Sequence, residues 1–121
     1  MFIVTVEGSF SAAHYLAGHP GKCEKLHGHN YKVRVSVAEQ KLNKQGMVID
    51  FGELKQELKK ILEILDHSFL NEQQEFADGT PTAERISYYV YCKLRQALPA
   101  LSISKVEVAE TDKNQATYYP D

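Results

Sequence analysis

The chain begins with an alternating pattern. Phe2, Val4 and Val6 alternate with Ile3, Thr5 and Glu7, and the even parity continues through Phe10 and Ala12 to His14. Residues 2 to 14 are therefore expected to form one strand, with His14 on its apolar face if Gly8 introduces no bulge. His19-Pro20-Gly21 marks a loop. A second alternation follows, with Tyr31, Val33, Val35 and Val37 set against Lys32, Arg34 and Ser36; His27 and His29 share the odd parity of its apolar side.

The period then changes. Asp50 is placed to cap a helix, with Glu53 in capping-box position, and Phe51, Leu54, Leu58, Ile61, Leu62 and Leu65 recur at helical spacing. A second helix is expected to begin near Thr80-Pro81, with proline in the first helical position. Its stripe runs through Ala83, Ile86, Val90, Leu94 and Ala97, and Pro99 ends it. Two closing strands are expected, one carrying Val106 and Val108 and one over Ala116 to Tyr119, joined by a turn at Asp112-Lys113-Asn114. The order β-β-α-α-β-β implies an α+β fold, a four-stranded antiparallel sheet with two helices on one face. So small a sheet leaves open edges, which neighbouring subunits are expected to close.

Composition narrows the class. With 121 residues, 43% of them apolar, and a formal net charge of -2, the chain is expected to be a single globular domain spanning 1 to 121. The absence of a basic block argues against a nucleic-acid partner, and no stretch is long and apolar enough for a membrane span. The N-terminus has no basic leader, so a cytoplasmic location is expected. Cys23 and Cys92 cannot build a disulfide framework; Cys92 falls in a helical apolar pattern and is expected to be a core residue.

The chemistry gathers in Cys23-Glu24-Lys25-Leu26-His27-Gly28-His29. Imidazoles two residues apart on one strand face suit a metal, and His14 on the paired strand adds a third nitrogen. Three neutral imidazoles make zinc the expected ion, with a fourth position open. Cys23 is then either a fourth ligand or a thiolate acting as a base beside the ion, and spacing does not separate these. Asp66-His67 closes the first helix, either as a histidine favoured by the helix dipole or as a carboxylate-supported proton carrier. Glu110 shares the parity of Val106 and Val108, so its carboxylate either ends an apolar face and needs a bidentate partner or frays into solvent.

Taken together, Phe10-Ser11-Ala12-Ala13-His14, Cys23-x-x-x-His27-Gly28-His29, Val48-Ile49-Asp50-Phe51, Leu65-Asp66-His67, Pro81-Thr82-Ala83-Glu84 and Glu110-Thr111 resemble the 6-pyruvoyl-tetrahydropterin synthase and 6-carboxytetrahydropterin synthase family over nearly the whole chain. The resemblance implies the tunnelling (T-fold) architecture, with three subunits joining their sheets into a barrel and two trimers forming a hexamer. It implies zinc held by His14, His27 and His29, Cys23 as the base, and Asp66-His67 as a second proton carrier supplied by a neighbouring subunit. It also implies that Glu110 grips the pterin ring, with Thr82 and the Ala83 backbone lining the pocket. The implied substrate is 7,8-dihydroneopterin triphosphate. The compact chain resembles the bacterial type, which yields 6-carboxy-5,6,7,8-tetrahydropterin, acetaldehyde and triphosphate on the route to queuosine. The animal type forms 6-pyruvoyl-tetrahydropterin instead. Glu24 is a departure, since a branch that makes 6-hydroxymethyl-7,8-dihydropterin for folate uses a glutamate there as an alternative base. A non-catalytic pterin-binding protein is a further class, but binding alone would not require Cys23, Asp66 and His67.

Overall fold

In the computed structural model, residues 1–15, 27–76 and 81–121 are described, His27 through its backbone. The first strand, β1, spans Phe2–His14, and the second, β2, spans His27–Glu39. They pair antiparallel without a break in register, from Phe2 opposite Glu39 to His14 opposite His27. The even parity of β1 therefore survives to its end, and Val6, Phe10, Ala12 and His14 are all buried. Gly8 makes no bulge; it makes room. A Cβ there would lie 2.8 Å from Leu62 Cδ1 and 3.2 Å from Leu58 Cδ2, so the helix rests directly on the strand backbone.

That helix, α1, covers Phe51–Leu65 and is capped by Asp50, whose carboxylate accepts the Gly52 N–H at 3.1 Å. Leu54, Leu58, Ile61, Leu62 and Leu65 are buried at helical spacing, each burial contributing about 1.5–3 kcal/mol. Phe51 departs from the expected stripe: it is 53% exposed, and the buried positions begin at Leu54. The second helix, α2, spans Ala83–Ala97 and begins later than the sequence suggests. Thr82 is its cap, accepting the Arg85 N–H at 3.2 Å, and Pro81 lies outside the helix. Ala97 is exposed in the last turn, while Ser87 and Tyr89 join Ile86, Val90 and Leu94 in the core.

Strand β3, Ser68–Phe69, was not expected; it pairs in parallel with Ala12 and Ala13 just after α1. Two short 3-10 turns, Leu70–Glu72 and Gln74–Phe76, follow it and bury Leu70 and Phe76. Strands β4, Ile103–Thr111, and β5, Asn114–Tyr118, complete a sheet of order β3-β1-β2-β4-β5. Asn114 already belongs to β5, which leaves Asp112-Lys113 as the turn, with Thr111 Oγ1 accepting the Lys113 and Asn114 N–H groups at 3.2 Å. The antiparallel sheet of four strands is thus extended to five by a parallel edge piece, and both helices cover one face. Valines across the sheet, Val6, Val35 and Val106, form one buried row under them. Cys92 is only half-buried, at the margin of this core. No helix among the described residues is long and apolar enough to cross a membrane.

Candidate active site

The end of β1 and the start of β2 bring His14 and His29 together by register. His29 pairs with Ala12, and His14 stands opposite His27. The rings of His14 and His29 meet edge to face with centroids 5.1 Å apart. The His27 backbone occupies the position that its parity predicts; its side chain lies outside the described residues, as do Cys23 and Glu24.

His14 is fully buried. Its Nδ1 lies 2.9 Å from the carbonyl oxygen of Pro81, which can only accept, so Nδ1 carries the proton and Nε2 presents a lone pair. The Tyr31 hydroxyl lies 3.1 Å from the same Nδ1. Burial, and then the charge of Glu110, push the Tyr31 phenol well above its usual range, so it stays protonated.

Glu110 joins this cluster from a bulge in β4. Ala109 pairs with Gln115 and Thr111 with Asn114, which leaves Glu110 as the extra residue in β4. The strand does not fray there: Glu110 is a quarter exposed and its Oε2 lies 3.6 Å from His29 Nε2. His14, His29 and Glu110 each offer a ligand atom within 4.8 Å of the others, a possible metal-binding triad. An ion with bonds of about 2.0–2.2 Å could be reached by all three after small side-chain shifts. Two imidazoles and a carboxylate fit a borderline divalent ion such as zinc better than they fit magnesium or calcium. The parity with Val106 and Val108 places Glu110 on this face, as the sequence indicates, but the sequence pointed to it as a ring-binding group and not as a candidate ligand.

Asp66 and His67 lie elsewhere. Asp66 ends α1; one carboxylate oxygen accepts the Ser11 N–H at 2.9 Å and the other lies 3.0 Å from His67 Nδ1. The Ser11 N–H, and more weakly His67, hold the Asp66 carboxyl below the usual carboxylate range. His67 is not part of the helix: it adopts a left-handed backbone, φ 55°, tied down by its own N–H to the Ser11 carbonyl. Such a conformation costs a β-carbon-bearing residue of order 1–3 kcal/mol. Its ring is 82% exposed, in an open depression shared with Ser11, Ala13, Asn30 and the backbone around Gly28 and His29. Within one subunit, then, the structure joins Asp66 to His67 but presents the pair to solvent.

Thr82 and Ala83 sit at the N-terminus of α2, next to the Pro81 carbonyl that holds His14. The Thr82 hydroxyl is engaged in capping, and Ala83 is buried. Sequence reasoning missed Tyr31 and Pro81 as parts of the site. The signal for Tyr31 was present, since it shares parity with His27 and His29 and a buried hydroxyl needs a partner; a backbone carbonyl leaves no such trace.

Known proteins resemble the chain throughout. The family described as 6-pyruvoyl tetrahydropterin synthase matches residues 3–121. A Synechocystis protein named 6-carboxy-5,6,7,8-tetrahydropterin synthase is 41% identical over 125 residues, covering 98% of this chain and 94% of its own. The Haemophilus influenzae protein of that name is 36% identical over 140 residues, covering 98% of this chain and 99% of its own. The structure of Caenorhabditis elegans 6-pyruvoyl tetrahydropterin synthase superposes with a TM-score of 0.83 at 34% identity, covering 100% of this chain and 98% of that one. With its T-fold arrangement of sheet and helices, the chain belongs to the 6-pyruvoyl tetrahydropterin synthase family.

Proposed function

We propose that the protein converts 7,8-dihydroneopterin triphosphate and one water to 6-carboxy-5,6,7,8-tetrahydropterin, acetaldehyde and triphosphate, as a cytoplasmic step toward 7-deazaguanines such as queuosine. The observation that carries this reading is the convergence of two imidazoles, His14 at the end of β1 and His29 at the start of β2, with the Glu110 carboxylate near the end of β4 beside them. Relatives bearing the carboxytetrahydropterin synthase name at 36–41% identity support the choice of product.

In this reading His14, His27 and His29 hold zinc. When bound, zinc supplies Lewis acidity toward the substrate side-chain hydroxyls, which lowers the cost of removing a neighbouring carbon-bound proton. The chain's own groups do the rest. Glu110 accepts from the 2-amino and ring N3 edge of the pterin, a bidentate contact that fixes the ring. Thr82 and the Ala83 backbone line the same pocket. Cys23, as thiolate, takes the carbon-bound proton, and His67 carries a second one, its imidazole oriented by Asp66. The exposure of His67 on its own subunit favours its delivery to a neighbour's site.

Association of subunits fits the sheet edges. β3 covers only Ala12 and Ala13 of β1, and Met1, Phe2 and Ile3 are 74%, 49% and 60% exposed along the remaining edge. A ring of three subunits joining β1 to β5 of the next, stacked in pairs as a hexamer, would bury both edges.

A second reading draws on other relatives: the human protein named 6-pyruvoyl tetrahydrobiopterin synthase is 38% identical over 102 residues. Mass spectrometry of the products from 7,8-dihydroneopterin triphosphate separates the two. Carboxytetrahydropterin with acetaldehyde is the expected outcome; pyruvoyl-tetrahydropterin as main product would replace the proposal with the second reading, and hydroxymethyl-dihydropterin with the folate branch.

A further inference from the structure

We propose that Tyr31 is a positioning residue for the metal centre, acting through His14; the inference rests on the metal-binding reading above. Tyr31 is fully buried in the middle of the apolar face of the sheet. A phenol in that position exposes a hydroxyl to a region where an apolar ring would pack without the cost of burying a polar group. The hydroxyl has a use: it lies 3.1 Å from His14 Nδ1, beside the Pro81 carbonyl at 2.9 Å. With the Nδ1–H shared between these two oxygens as acceptors, both the tautomer and the rotation of the imidazole are held. The opposite nitrogen is left directed at the cluster with His29 and Glu110.

The tyrosine is itself held. Phe10 stacks on it with centroids 4.7 Å apart and planes 9° from parallel. Its ring meets both histidines edge to face, His14 at 6.0 Å and His29 at 5.5 Å. Phe10 and Tyr31 are cross-strand partners, Phe10 four residues before His14 in β1 and Tyr31 two residues after His29 in β2. The stack keeps the ring packed, while the hydroxyl alone reaches His14 Nδ1.

The test compares zinc affinity with stability in the full-length protein, using competition with a chromogenic chelator and thermal unfolding of the metal-free form. Tyr31→Phe keeps the ring and the Phe10 stack and removes only the hydroxyl; its zinc affinity is expected to fall about ten- to a hundred-fold. Phe10→Leu disturbs the packing and leaves the hydroxyl, and is expected to lower the unfolding temperature while changing zinc affinity less than threefold. Wild-type affinity in Tyr31→Phe would overturn the inference. So would an equal loss of affinity in Phe10→Leu, which would make the role one of packing alone. His14→Ala separates the two levels: if it binds zinc as the wild type does, the metal reading itself fails, whereas loss of zinc there with none in Tyr31→Phe removes only the positioning role.

Discussion

Glu110 Oε2 stands 3.6 Å from His29 Nε2 in the structure, so a carboxylate carried by a bulge in β4 faces an imidazole at the head of β2. This places the group expected to grip the ring edge of the substrate beside the groups expected to hold the metal. Glu110→Gln keeps the shape and removes the charge. Pterin affinity, measured directly by calorimetry, is expected to fall by about 1.5–3 kcal/mol, the range for a hydrogen bond to a charged group. Unchanged affinity would remove Glu110 from the substrate site.

Cys23 and Glu24 are adjacent in the sequence, and different roles predict different losses. Cys23→Ala is expected to retain zinc and pterin binding and to lose carboxytetrahydropterin formation, because a base is removed and no ligand is. Loss of zinc in that variant would make the cysteine a ligand. If Glu24 acts as a second base, Glu24→Ala removes any hydroxymethyl-dihydropterin by-product and spares the main product; a product ratio identical to wild type would make it a surface charge.

Asp66 links the site to acid stability. Its folded pKa lies below the ordinary value of about 3.9, chiefly through the Ser11 N–H. The stabilisation is therefore complete above the unfolded value and is lost as pH falls through the lower folded value. Thermal unfolding of wild type and Asp66→Asn is expected to show a gap at pH 6 that narrows as pH drops below about 4. A gap that stays constant across that window would mean that the carboxylate charge contributes nothing.

Gly8 is the packing position most sensitive to size. Its missing Cβ is what lets Leu62 and Leu58 reach the strand. Gly8→Val is expected to destabilise by about 1–3 kcal/mol in urea unfolding, as overpacking of a close contact does. Wild-type stability would show that α1 shifts away without cost.

The two long strands and two helices are legible in the sequence because each carries a repeated pattern. One buried face selects one parity, and His14 and His29 inherit it from their neighbours along the strand. The family motifs likewise name Cys23, Asp66, His67 and Glu110 before any fold is known. What remains hidden arises between segments distant in the chain. The Pro81 carbonyl meets His14 across 67 residues, and no side-chain identity encodes a carbonyl's direction. The late start of α2 follows from Thr82 taking the cap, which leaves Pro81 outside the helix and its carbonyl beside His14. The register shift against β5 and the left-handed turn at His67 are single-residue departures from regular geometry, although the face that Glu110 occupies follows from its parity. Periodicity averages over several residues and cannot register them, whereas tertiary contacts at the end of each element set them individually.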